Sequence, residues 1–176
     1  MYPASAPYFP QTRVAVDNDS AALFAGTSFR AMFELNIAAG ASAVVRLDRA
    51  CDIVIRKFSV ALTAGEIRGE IWTGATPAGS WSNLPVIPRN VMAQRPAPAY
   101  VTKSTVSTGG TISGGTMIDL LLLKVASASG QASTVSGIGA DEYAAAAGSG
   151  FYKFTNTGNS TTTGVFVILW DELPTS

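Results

Sequence analysis

The side chains in this chain that could do chemistry are carboxylates. Asp48, Asp52, Glu66 and Glu70 lie close together in sequence, Asp141 stands beside Glu142, and Asp171 beside Glu172. Two carboxylates suffice for glycoside hydrolysis when a cleft holds them at the right separation and pushes their pKa values apart. With no motif around them, they read as solvated surface acids. The 176 residues include no His, which removes the commonest general base and the commonest metal ligand. Ser-His-Asp, Cys-His and HExxH chemistry go with it. Cys51 is the single cysteine, so an intramolecular disulfide, a thiolate metal cage and a CxxC redox pair are all excluded. It reads as a small buried apolar residue. We expect no enzymatic activity and no cofactor.

Two glycine patterns and one aromatic set complete the candidates. The run from Gly137 through Gly139 to Glu142 begins like a dinucleotide fingerprint, but it places Glu142 where the last glycine belongs and lacks a βαβ setting. Gly109, Gly110, Gly114 and Gly115 are not followed by the Lys-Ser/Thr of a phosphate loop, and they read as turn and close-approach positions. Trp72, Trp81 and Tyr100 could present flat apolar faces to a sugar ring. Packing of Trp72 against its own loop is the competing reading.

The totals narrow the function classes further. Lys plus Arg and Asp plus Glu each number 12, giving a net charge of +0. No basic field exists to hold a phosphate backbone or an anionic membrane, so neither nucleic acid nor membrane is expected as a partner. Charged residues make up only 14% against 47% hydrophobic, a balance that favours association. The opening MYPASAPYFPQTR has no basic segment followed by an apolar one, so synthesis in the cytoplasm is expected. No run reaches the length of a membrane span.

The elements that must position these residues read as strands. Residues 1–22 carry Pro3, Pro7 and Pro10 among Ala, Ser and aromatics, which predicts an extended N-terminal arm, and residues 23–176 form a single domain. In FRAMFELNI, Phe29, Ala31, Phe33, Leu35 and Ile37 share one face, the period of a half-buried strand. Residues 42–47 and 52–62 supply two more strands, and IRGEIWTG places Ile67, Gly69 and Ile71 opposite Arg68, Glu70 and Trp72. Prolines at 77, 85, 88, 96 and 98 exclude central strands from the next stretch, predicting a long excursion with short edge pieces. Strands are expected at 100–106 and 116–125, a small-residue connection with a short helical turn at Ala144–Ala147 follows, and 151–158 with 164–173 read as a hairpin. The sum is an all-β antiparallel sandwich, best matched by a jelly roll with an extended arm. An immunoglobulin-like sandwich is the rival, without its disulfide hallmark.

Two strands pose a problem. Residues 116–125 set Ile118, Leu120 and Leu122 on one face and Met117, Leu121, Leu123 and Val125 on the other, while Val165, Val167 and Leu169 oppose Phe166, Ile168 and Trp170. A sandwich strand needs one apolar face only. Each large apolar side chain left in water forgoes roughly 1.5–3 kcal/mol, so something must cover the second faces. The arm, the Pro-rich excursion and a neighbouring subunit are the candidates. We expect a homo-oligomer, with Met117, Leu121, Leu123, Phe166 and Ile168, together with Tyr8 and Phe9 of the arm, at subunit or partner interfaces.

Four strings in the C-terminal two thirds, IWTGATPAGSW (71–81), TGGTISGGTMIDLLLL (108–123), AGSGFYKFTNTG (147–158) and GVFVILWDELP (164–174), carry a family resemblance. The chain resembles the jelly-roll capsid decoration, or cement, proteins of tailed bacteriophages. That resemblance implies a structural virion protein on the outer capsid surface, commonly a homotrimer, whose partner is the major capsid protein and which has no catalytic residues. A carbohydrate-binding module on a virion appendage, using Trp72, Trp81 and Tyr100, is the alternative.

Overall fold

The computed structural model describes residues 22–23, 25–90, 100–125, 133–136 and 143–173. The predicted arm, with Tyr8 and Phe9, and the acids Asp141 and Glu142 lie outside the described residues. The elements are β1 (Ser28–Ile37), β2 (Ser42–Arg49), β3 (Ile53–Ala64), β4 (Glu66–Thr73), β5 (Thr76–Ala78), β6 (Ser82–Leu84) and β7 (Val86–Pro88), followed by β8 (Ser104–Thr108), β9 (Thr111–Ser113), β10 (Thr116–Lys124), β11 (Ser133–Ser136), β12 (Tyr143–Ala145), β13 (Gly148–Asn156) and β14 (Thr162–Glu172).

These strands form two large antiparallel sheets and a small one. The first has the order β11-β3-β14-β1-β7 with β12 also on β3, the second β10-β4-β13-β2-β8-β6, and β5 pairs with β9 alone. The pairings nest: β1 lies on β14, β2 on β13, β3 on β11 and β12, and β4 on β10. Such nesting wraps the chain as a double Greek key, so the antiparallel β-sandwich is a jelly roll.

Alternation decides which residues fill the space between the sheets. Phe29, Ala31, Leu35 and Ile37 are buried while Arg30, Met32, Glu34 and Asn36 are exposed, as the period-2 pattern predicts. The core stacks Phe58, Tyr152, Phe166 and Phe154 in succession at ring-centre distances of 6.0, 5.1 and 5.0 Å. Trp170, Phe29 and Tyr100 form a second series at 6.0 and 6.1 Å.

Three sequence expectations are corrected here. Residues 148–173 are not a hairpin, because β13 lies between β4 and β2 in one sheet and β14 between β3 and β1 in the other. Each strand already has two partners, and the connection crosses the end of the sandwich. Asn156, fully buried, holds that crossing: its Nδ2 donates to the carbonyls of Ile37 (2.8 Å) and Ser160 (2.7 Å), and its Oδ1 accepts the Gly158 N–H (2.9 Å). Of the helical turn expected at Ala144–Ala147, Ala144 and Ala145 lie instead in a strand on β3, anchored by Tyr143, whose hydroxyl meets that of Tyr152 at 3.2 Å. Third, 100–103 is not part of a strand, since Glu172 captures its backbone donors, as described below.

Replacing Asn156 with Ala strands two carbonyls and one N–H in a buried crossing. The expected cost is about 2–4 kcal/mol in urea unfolding, with Asn156→Asp recovering only part because it keeps the acceptor and loses the donors.

Candidate docking surface

Three of the candidate acids are buried. Glu172 is buried, and it accepts the backbone N–H groups of Lys103 (2.9 Å) and Ser104 (3.0 Å) and the Thr102 hydroxyl (2.7 Å). Burial alone would raise its pKa, but the donors from Lys103, Thr102 and Ser104 outweigh it and hold the carboxyl below the usual range. Burial, and then the neighbouring Glu172 charge, push the Cys51 thiol up, so it is a poor nucleophile. Asp171 is buried against the Arg56 guanidinium. Glu70 is buried too, receiving Arg68 Nη2 at 2.8 Å and Trp72 Nε1 at 3.3 Å. The expectation of solvated acids fails for Glu70, Asp171 and Glu172. Each is committed to a structural partner, and no two form an open acid–base pair. Among the described residues no group of three or more His, Cys, Asp or Glu is placed to hold a metal.

The expected aromatic platform also does not assemble. Tyr100 packs on Phe29 in the main core, whereas Trp72 and Trp81 are half-buried in a separate cluster on the outer face of the second sheet, with Val44, Ala75, Ile112 and Phe151. That cluster is roofed by the flap made of β5 and β9. The flap fits because Gly110 has no side chain: a Cβ there would lie 2.1 Å from the Trp81 ring. Arg46 stands over Trp81 at 5.7 Å from the ring centre. So part of the surplus apolar surface is hidden by the Pro-rich excursion itself.

The two strands that are apolar on both faces part company. On β14 the outward Val165, Val167 and Leu169 are half-buried. They sit at the centre of their sheet, with Arg30, Glu34 and Lys57 opposite them in register, and long charged side chains cover apolar neighbours with their aliphatic stems. Phe166 and Ile168 are core residues. Their assignment to an interface is corrected: the inner face takes them.

β10 is different because it is the edge of its sheet. Leu123 is buried and Leu121 half-buried against the core, so these two also leave the expected interface set. The opposite face remains open, with Leu122 68%, Ile118 55%, Leu120 41% and Met117 39% exposed. Met117 joins this group, rather than Leu121 and Leu123, because a bulge between Met117 and Asp119 breaks the alternation and sets Met117 opposite Trp72. Leu120 stands opposite Glu70 and Leu122 opposite Arg68. Around this apolar centre lie paired charges: Arg68 and Lys153 on Glu70, and Lys124 on Glu66 at 2.7 Å. An apolar centre with a charged rim is the layout of a protein interface. A long apolar edge strand also offers free backbone groups to an incoming chain. One of them, the Leu120 N–H, is taken by its neighbour Asp119 at 2.8 Å.

No protein-family model, curated protein or solved structure matches the chain.

Proposed function

We propose that this chain is a non-enzymatic structural protein of a virion, a cement subunit that binds the outer surface of a tailed-bacteriophage capsid as a homo-oligomer. The observation that carries the reading is the apolar edge strand β10, with Ile118, Leu120 and Leu122 in water beside a charge-paired rim. At roughly 1.5–3 kcal/mol for each large side chain, leaving this surface uncovered is costly, and a second protein surface is what covers it. The buried acids support the non-enzymatic half of the reading, because Glu172 is held by backbone and hydroxyl donors and Asp171 is paired with Arg56. The virion setting, the major capsid protein as partner and the trimeric form follow from the family resemblance of residues 71–81, 108–123, 147–158 and 164–174. In this reading the arm of residues 1–22 adds a second point of attachment, and many copies engaged together multiply the affinity of each contact.

A glycan-binding role has one specific support. Trp72 borders a shallow outer groove of about 180 Å³ with Ile112, Gly114, Gly115 and Lys153, which would accept a sugar face on its indole.

Mixing the purified chain with undecorated shells, in parallel with a glycan array, separates the two. Cosedimentation with shells and a silent array are expected. Deleting residues 1–20 should leave unfolding unchanged and weaken shell occupancy. No cosedimentation, with array binding lost on Trp72→Ala, would replace the cement reading with the glycan one.

A further inference from the structure

At one end of the sandwich the two sheets part around a cleft of about 300 Å³, bordered by Arg49, Trp72, Ile118, Tyr143 and Tyr152 together with a run of alanines, Ala144–Ala147. The cleft mixes polar and apolar groups in its walls. Its polar groups converge on one place. The Arg49 guanidinium lies along β13, where Gly148 and Gly150 make room for it: a Cβ at Gly150 would lie 3.2 Å from its Nη1. Its Nε is buried and has no hydrogen-bond partner. Arg49 makes no ion pair among the described residues. The Tyr143 and Tyr152 hydroxyls meet at 3.2 Å, so one O–H is used between them and the other is left to donate elsewhere. Both phenols feel the Arg49 charge.

A buried guanidinium donor without an acceptor is uncommon, because an unmet donor costs about 1–3 kcal/mol. The Arg fork matches a carboxylate. A single cation suits a monoanion better than a phosphate dianion, and the volume is at the small end of ligand sites. The tyrosine rings offer flat faces to an organic ring.

We propose that this cleft binds the carboxylate of an acidic sugar of hexuronate type. Arg49 grips the carboxylate, the free tyrosine hydroxyl donates to it, and the ring lies against the tyrosine and alanine walls. Ile118 borders both this cleft and the exposed β10 face, while Arg49, Tyr143 and Tyr152 lie outside that face.

The test is titration of the full chain with D-glucuronate by ligand-observed NMR, with D-glucose and inorganic phosphate as comparisons. Glucuronate is expected to bind with Kd near about 1 mM, and both comparisons at least tenfold more weakly. Arg49→Lys keeps the charge and loses the fork, and should weaken glucuronate at least tenfold. Tyr143→Phe, which removes one hydroxyl without disturbing the strand, should weaken it about threefold to tenfold. No glucuronate signal at about 10 mM, equal binding by phosphate or glucose, or wild-type affinity in both variants would overturn the proposal.

Discussion

Leu120→Lys combined with Leu122→Asp is expected to lower attachment to undecorated shells by at least a hundredfold. Thermal unfolding should stay within about 2 °C of the parent chain. The two leucines lie exposed on an edge strand, so the folded chain alone loses little packing when they become charged, each new charge stands opposite one of the other sign on β4, and charges on edges are well tolerated. In a complex the same positions would be desolvated. Each leucine then forfeits roughly 1.5–3 kcal/mol of burial, and each new charge adds a desolvation penalty. Since every 1.4 kcal/mol is tenfold in affinity, two such losses at one subunit exceed a hundredfold before avidity multiplies them. Cosedimentation with shells reads the first quantity and calorimetry the second. Undiminished attachment would show that some other face makes the contact.

Glu172→Ala is expected to have the largest effect on stability, about 3–5 kcal/mol, or a fall in Tm of about 10 °C for a domain of this size. Without the carboxylate, the N–H groups of Lys103 and Ser104 and the Thr102 hydroxyl lose their acceptor. Buried donors without partners each cost about 1–3 kcal/mol. The segment they hold leads into β8, so the same change loosens the pairing of β8 with β2 and β6 in the second sheet. The pH dependence has a definite sign. Glu172 is held below its ordinary value of 4.5 in the folded chain, so its contribution is full above that value and is lost as pH falls through the folded pKa. Glu66, lowered by the Lys124 ammonium and then by the Thr157 hydroxyl, acts in the same direction. Urea unfolding between pH 6 and 3 should therefore show a steep acid loss that Glu172→Gln makes shallower without abolishing. An acid limb unchanged in that variant would contradict this role.

Much of the architecture is legible in single strands. The alternation in FRAMFELNI assigns every side chain of β1 to its face, and IRGEIWTG does the same for β4, where Ile67 and Ile71 are buried and Arg68 is exposed. Prolines 77, 85 and 88 mark a stretch that holds only three-residue strands. What pattern does not carry is partnership. Residues 148–156 and 162–172 adjoin in sequence, yet a sandwich can send the second strand to either sheet, and the choice rests on what pairs with each from 100 residues upstream. Local sequence does not encode that.

The candidate surface was half legible. A strand apolar on both faces announces that one face needs a partner without saying which. The bulge after Met117 shifts the count by one, so Met117 leaves the company of Leu121 and Leu123. Glu172 was unreadable for another reason. Its donors lie about seventy residues away in sequence, and a buried acid looks like a surface one until those donors are in place.

Amide hydrogen exchange of residues 116–124, compared between the free chain and the chain on shells, tests the docking claim most directly. The Ile118 and Leu122 amides and their neighbours on this edge should exchange quickly in the free chain and slow by at least tenfold on shells, while the central strand β14 stays equally protected in both. Bound chain in which β10 exchanges as fast as it does free, with new protection elsewhere, would contradict the account.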